Sequence, residues 1–397
     1  MSIWLDEPYA ARRPLETNLT TPVAILGGGM TGISTAYWLA QRGISSAVLE
    51  EHAVAFGATG RNAGFVLEGT VPDYPELVSR HGRQTARALW EFTVENRRRL
   101  LAVCAQERVT CDLVTCGSVV ATASRDGMAH LEKHAAMLTE DGYRCEIVDR
   151  GWLGEHMSGS DEFIGGLLTP RDVGLHPVRF VRGLATAAQH AGAAVYENTA
   201  VRAIARDGTM WKVITQGGTI RADHVVFGLN AYTALVDRAW HMVIQPTRGQ
   251  VLATAPVAHP LFPHLVYANE GFEYWRQLPD GRVVLGGLRR LAIEEEVGTA
   301  DSLHPAIQEG LEAYLRHLGV PAAVPVTHRW SGIMGFSPDH LPLIGPVPGQ
   351  DRLYIAGGYS GHGLAFAFLA GRMIADLVAT GATDYPRALF PQRLLQL

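Results

Sequence analysis

Lysine is almost missing from this chain: among 397 residues only Lys133 and Lys212 are lysines, and nearly all positive charge is arginine. That reads as a composition bias, and it narrows the lysine chemistry open to the protein. Cysteine is scarce too. Cys104, Cys111, Cys116 and Cys145 show no C-x-x-C spacing and no matching histidine pattern, so reduced, partly buried thiols are expected rather than a disulfide framework or a zinc site. Basic excess is absent: the formal net charge of −5 argues against nucleic acid, whose phosphates call for a basic face. No long polar tract suggests disorder, and MSIWLDEPYAARRPLE shows no basic-then-apolar leader. No apolar run reaches the length of a membrane span without a glycine cluster or a charge. A cytoplasmic location follows as an expectation, and the length makes two domains the default.

What the chain does have is glycine, gathered at two strand-to-helix joints. The first is TPVAILGGGMTGISTAYWLAQRGISSAVLEE. It reads as a buried strand over 23–26, a turn with Gly27, Gly29 and Gly32 in G-x-G-x-x-G spacing, a helix over 33–42, and a second strand over 46–49 ending at Glu50 and Glu51. The glycines have separate tasks: a tight turn, room for a pyrophosphate, and close helix–strand contact. A carboxylate 18 residues after Gly32 is placed to accept hydrogen bonds from an adenosine ribose, which favours FAD or NAD over NADP. The small-residue loop that follows, with Ala58, Thr59, Arg61 and Asn62, suits the longer FAD. The second joint is LYIAGGYSGHGLAFAFLAGRMIADLV, where a short strand candidate runs into Gly357, Gly358, Gly361 and Gly363 before an apolar helix. Such a turn lets backbone approach a ligand and aims bare N–H groups at it.

These stretches, with GATGRNAG (57–64), GLHP (174–177), YWRQLPDGRVVLGG (274–287) and RWSGIMGFSPDHLPLIG (329–345), resemble the D-amino-acid-oxidase-like FAD oxidoreductases. This is the glycine and sarcosine oxidase group, and the motifs are most similar to its γ-glutamylputrescine oxidase branch. The resemblance implies a mixed α/β fold, with a Rossmann-like FAD domain and a discontinuous antiparallel-sheet substrate domain. The FAD domain would take residues 1–80, 145–228 and 328–397, and the substrate domain 81–144 and 229–327. It further implies that Gly27, Gly29, Met30, Thr31, Gly32, Glu50, Glu51, Ala58, Thr59, Arg61, Asn62, Val201, Gly335, Gly358, Gly361, His362, Gly363 and Leu364 hold FAD. Val201 would brace the adenine end, and the helix from Leu364 would face the flavin ring. Tyr274, Arg276, Trp330 and Met334 would face substrate.

The implied reaction is hydride transfer from a carbon beside nitrogen to flavin N5, followed by hydrolysis of the imine. His362, Tyr359 or bulk water would accept the substrate proton. Three carboxylate anchors of the family are missing. Leu364, Ala365 and Phe366 stand where a lysine follows Gly-His-Gly, Met334 stands where an arginine follows Trp-x-Gly, and 62–70 offers no arginine. The expected substrate is therefore an amine, or a longer molecule whose carboxylate sits far from the flavin, with Arg276, Arg289 and Arg290 as candidate anchors. Gly332 and Arg61 stand near positions used elsewhere for covalent flavin links, so FAD is expected to be held non-covalently. No lysine matches the oxygen-activating one of some oxidases. Oxygen as acceptor is the expectation, and a dehydrogenase with another acceptor is the alternative. A non-catalytic flavin protein and an NAD-dependent dehydrogenase are further alternatives, and the oligomeric state stays open.

Other features have plainer readings. His130 and His134 lie four apart on a helical stretch and read as solvent-facing. Arg97 to Arg99 read as a polar helix face, and Glu294 to Glu296 as a solvated loop. Gly358-Tyr359-Ser360-Gly361-His362 misses the G-x-S-x-G elbow at its last residue. Tyr274, Trp275 and Trp330 are as consistent with core as with a cavity wall.

Overall fold

The computed structural model describes residues 1–395. Its first sheet is built on five parallel strands in the order Leu353–Gly357, Thr219–Phe227, Leu19–Leu26, Ser46–Leu49 and Ala194–Tyr196. Val201–Asp207 and Met210–Thr215 extend it antiparallel, and Leu343–Pro346 pairs with Leu353–Gly357. The central strand is apolar because both of its faces are covered: Val23, Ala24, Ile25 and Leu26 are fully buried. One face carries three helices, Met30–Ala40, Pro177–His190 and Gly363–Thr380. The first and last of these approach closely: Ser34 Oγ donates to the Phe368 carbonyl at 2.5 Å, and a Cβ on Gly371 would lie 2.5 Å from the Thr35 nitrogen. Helix Gly363–Thr380 is long and apolar enough to cross a membrane by length and composition, yet here two-thirds of it is buried within the protein.

The second sheet has eight strands, running from Val326–Phe336 through Gln245–Thr254, Val283–Gly287, Glu273–Gln277, Leu265–Ala268, Ser118–Thr122 and Gly165–Thr169 to Glu146–Asp149. All neighbours are antiparallel except Leu265–Ala268 with Ser118–Thr122.

The pairing departs from the expected boundaries in three places. Glu146–Asp149 and Gly165–Thr169 belong to the second sheet although 145–228 was assigned to the cofactor half, and Val326–Phe336 pairs along its length with Gln245–Thr254 although the cofactor half was to resume at 328. Helix Arg83–Gln106, expected in the substrate half, packs on the C-terminal helix instead. The Asn96 amide donates to the Leu364 carbonyl, its Oδ1 accepts from the Leu369 N–H, and Phe92 stacks on Phe366. Apolar periodicity sets where elements form; which sheet a strand joins is decided by partners distant in sequence.

Candidate active site

In a parallel sheet all carboxyl ends share one edge, and both glycine turns lie there. At the first turn Gly27 has φ +100°, and its N–H donates to the Leu49 carbonyl at 2.8 Å. A Cβ on Gly32 would lie 1.9 Å from the Gly27 carbonyl oxygen, so this glycine is required by the protein's own packing. The Gly28 and His52 N–H groups donate to the two oxygens of Glu50 at 2.7 and 2.9 Å. Burial nevertheless pushes the Glu50 carboxyl up to about 6. Thr59 Oγ1 accepts from the Met30 N–H at 3.0 Å, tying loop 58–62 to the helix start.

At the second turn Gly358 has φ +70° and donates to Asn230 Oδ1 at 2.9 Å, and Gly361 has φ +92°. The helix that follows has no side-chain cap, and the N–H groups of Gly361, Gly363 and Leu364 meet no acceptor among the described residues. A Cβ on Gly363 would come no closer than 3.8 Å to any protein atom, so packing within the chain does not demand glycine there. Tyr359 joins the two turns through its hydroxyl, 2.8 Å from Thr31 Oγ1. Burial raises its phenol well above the usual range, which removes it as a proton acceptor.

One cavity of about 1680 Å³ runs between these turns. Gly27, Gly29, Met30, Thr31, Glu50, Glu51, Ala58, Thr59, Arg61, Asn62, Val201, Tyr359, Gly361, His362, Gly363 and Leu364 all line it, as do Tyr274 and Met334. Gly32, Gly335 and Gly358 stand behind the wall as backbone supports: a Cβ on Gly335 would strike Asn230 Oδ1 at 2.6 Å.

Two expected substrate residues lie elsewhere. Trp330 is buried and donates from Nε1 to the Arg61 carbonyl at 3.0 Å, supporting the 58–62 loop from below. Arg276 is buried with its Nη1 on the carbonyls of Gly64 and Leu175 at 3.1 and 3.3 Å, wedged where a Cβ on Gly174 would touch it. Burial brings its pKa down to about 10. Arg290 is exposed and pairs with Glu273. Of the three arginines, only Arg289 faces the cavity.

His362 lines the cavity half-buried, its buried Nδ1 has no partner, and its ring stacks on Tyr267 at 6.3 Å. Burial holds its pKa down to about 4, so it is neutral at pH 7 and brings no positive charge.

Beyond the turns the cavity opens into a chamber walled by Tyr267, Phe272, Tyr274, Met334 and Phe336, with a further arm reaching Glu68, Asp172 and His134. His134 is therefore not solvent-facing; burial brings its pKa down to about 4, while His130 pairs with Asp73 at the surface. Arg97 is likewise no surface group but forms a buried pair with Glu68 at 2.6 Å, and Glu296 is buried against Arg248 at 3.0 Å. Asn230, Tyr267, Phe272, Phe336 and Asp172 carry no signal in the sequence: each is single, and the strand and turn pairings alone bring them to the cavity. Among the described residues no group of three metal-ligating side chains exists.

The profile of the family described as DAO, FAD dependent oxidoreductase, matches residues 22–377. The chain belongs to this family. It is 28% identical over 386 residues to gamma-glutamylputrescine oxidoreductase of Escherichia coli (strain K12), covering 95% of this chain and 88% of that protein. It is 25% identical over 382 residues to glycine oxidase of Geobacillus kaustophilus (strain HTA426), covering 93% and 95%. A crystal structure of glycine oxidase from Geobacillus kaustophilus superposes with a TM-score of 0.82 at 22% identity, covering 95% of this chain and all of that one. The cofactor of this FAD-dependent oxidoreductase fits the cradle. The unpaired N–H groups of Gly361, Gly363 and Leu364, the Glu50 carboxylate at the strand end and the open space beside Gly363 are compatible with such a group.

Proposed function

We propose that the protein oxidises the C–N bond of an amine or amino-acid derivative, with FAD held non-covalently and oxygen taking the electrons to give H2O2. The observation that carries this reading is the uncapped helix start whose Gly361, Gly363 and Leu364 N–H groups open onto the aromatic chamber. Bound there, FAD supplies a two-electron acceptor for hydride from the carbon next to nitrogen. The helix start favours the negative charge that arrives with the electrons. Tyr267, Tyr274 and Phe336 exclude water around the reacting carbon, and His362, neutral, lines the chamber beside the turn. Neither His362 nor Tyr359 holds the proton of a substrate ammonium, so the reacting species is the free amine, which has given its proton to bulk solvent and buffer before it enters the chamber. The iminium product then adds water and splits into a carbonyl compound and the released amine.

Met334 and Leu364 line the chamber where a small α-amino acid would need cations, so a longer amine suits the site better. The named substrate of the Escherichia coli relative, γ-glutamylputrescine, is an amine of that kind.

A dehydrogenase reading is favoured by one observation: Lys133 and Lys212 are both exposed and away from the cavity, and His362 is neutral. Neither supplies the positive charge that helps oxygen react.

The test is the flavin absorbance of the purified holoenzyme, followed anaerobically as γ-glutamylputrescine, putrescine, sarcosine and glycine are added in turn. Bleaching by the long amine is expected, with rapid recovery in air. Slow recovery in air supports the dehydrogenase, bleaching only by glycine or sarcosine overturns the substrate class, and no bleaching by any amine overturns the catalytic reading.

A further inference from the structure

We infer that Arg289 is the anion anchor of the chamber, and that the substrate is an amine carrying a carboxylate several bonds away from the C–N bond that reacts. This rests on the proposed amine oxidation and specifies the other end of the substrate.

Arg289 follows strand Val283–Gly287 immediately after Leu288, a non-glycine residue in left-handed conformation at φ +55°. That backbone turn swings the next side chain into the cavity. There the guanidinium sits among aromatic rings, with Cζ 5.1 Å from the Phe336 ring centre and 5.7 Å from that of Phe272. Burial lowers its pKa, with Glu296 and Tyr274 acting in the opposite direction. Among the described residues it makes no hydrogen bond and no ion pair, whereas its neighbours are committed: Arg290 to Glu273, Arg248 to Glu296, and Arg276 to backbone carbonyls. A half-desolvated guanidinium with five donors and apolar walls is suited to a bidentate carboxylate.

Its position along the chamber sets the substrate's length. His362, beside the flavin-facing turn, stacks on Tyr267; Tyr267 packs against Tyr274 at 5.8 Å; Tyr274 is the ring that feels the Arg289 charge. Along this wall the contacts run from His362 through Tyr267 and Tyr274 to Arg289. A carboxylate on the reacting carbon itself would sit at the wrong end of that wall. A chain with its amine at one end and its carboxylate at the other spans it, with the methylenes between lying on Tyr267 and Tyr274.

The test uses the holoenzyme and two homologous sets of amines: the ω-amino acids from glycine to 6-aminohexanoate, and n-alkylamines of matching chain length. The readout is the anaerobic rate of flavin bleaching per unit concentration, expressed as the ratio of each acid to its alkyl partner. In the wild type this ratio is expected to rise with chain length. In Arg289→Met it is expected to fall by about 10- to 100-fold for the longest pair, the range of a lost charge-assisted pair, with part of it restored in Arg289→Lys. A ratio flat with length in the wild type, or unchanged in Arg289→Met with full flavin content, overturns the assignment. A second readout needs no turnover: glutarate is titrated into the oxidised holoenzyme while the flavin band is watched. A band shift in the wild type that Arg289→Met loses supports the anchor even if no amine bleaches the flavin. No shift in the wild type, or an equal one in the variant, removes the anchor whether or not amines are oxidised.

Discussion

The cofactor cradle and the substrate chamber share one cavity but are made of different materials. The cradle is backbone: glycine turns, helix starts and one carboxylate at a strand end, drawn from two short stretches of chain. The chamber is side chain: rings from strands Leu265–Ala268, Glu273–Gln277 and Val326–Phe336, with the Arg289 charge from the turn after Val283–Gly287, which meet only through sheet pairing. Backbone recognition ties a site to a particular conformation, which few residue types can adopt. Side-chain recognition leaves the conformation common and lets the residue vary. A single fold can then keep one cofactor and change its substrate.

The largest expected effects break the cradle, and two glycines do so differently. In Gly32→Val the new Cβ would sit on the Gly27 carbonyl, so the turn must move; loss of soluble yield together with loss of flavin is expected. Gly363→Ala meets no protein atom within 3.8 Å and places a better helix former at the helix start. Its apoprotein is expected to melt no lower than the wild type, while FAD affinity falls by at least about 10-fold, or ~1.4 kcal/mol. Apoprotein melting together with flavin-to-protein ratio after gel filtration separates the two cases. If Gly363→Ala keeps a full complement of flavin, no ligand presses on that turn.

A smaller effect should come from altering the chamber alone. Met334 half faces the cavity, with its sulfur 3.7 Å from where a Cβ on Gly361 would stand. Met334→Arg would put a cation beside the Gly358–Gly363 turn, at a different place on the wall from Arg289. Bleaching by glycine relative to a long amine is expected to rise by about 10-fold, the scale of one charge-assisted contact. An unchanged ratio with normal flavin content would mean that position 334 does not set the substrate's orientation.

The same contrast explains what was legible in the sequence. The βαβ unit and the Gly358–Gly363 turn announce themselves because left-handed φ and close approach demand glycine at fixed spacing: Gly27, Gly358 and Gly361 have positive φ, and Gly32 lies too close to the Gly27 carbonyl for a Cβ. Arg276 and Arg289 were indistinguishable as strings of letters. Only the pairing of Glu273–Gln277 with Val283–Gly287 and the left-handed turn at Leu288 send one into a backbone cage and the other into the chamber. His134 and Arg97 misled for a related reason: helical spacing shows that a residue shares a face, but not whether that face is covered.

The subtlest prediction concerns protonation, which no sequence displays. Asp172 is wholly buried at the far arm of the cavity, accepting from Ser118 Oγ at 2.6 Å and from the Glu68 N–H at 2.8 Å. Burial pushes its carboxyl from 3.8 up to about 8, against the lowering effect of those donors. Between these two values the unfolded chain releases a proton that the folded chain keeps, so stability is lost as pH rises through the window and levels off above about 8. Asp172→Asn mimics the neutral acid and removes the titration. The melting temperature of the wild-type holoenzyme is expected to fall relative to Asp172→Asn by ~3 °C between pH 5 and pH 8. Parallel curves would mean that Asp172 is ionised in the folded protein. The arm beside Glu68 would then carry a second negative charge and attract cationic ligands. A falling difference leaves the arm close to neutral, since Glu68 is already paired with Arg97, and leaves Arg289 to set the charge preference of the chamber.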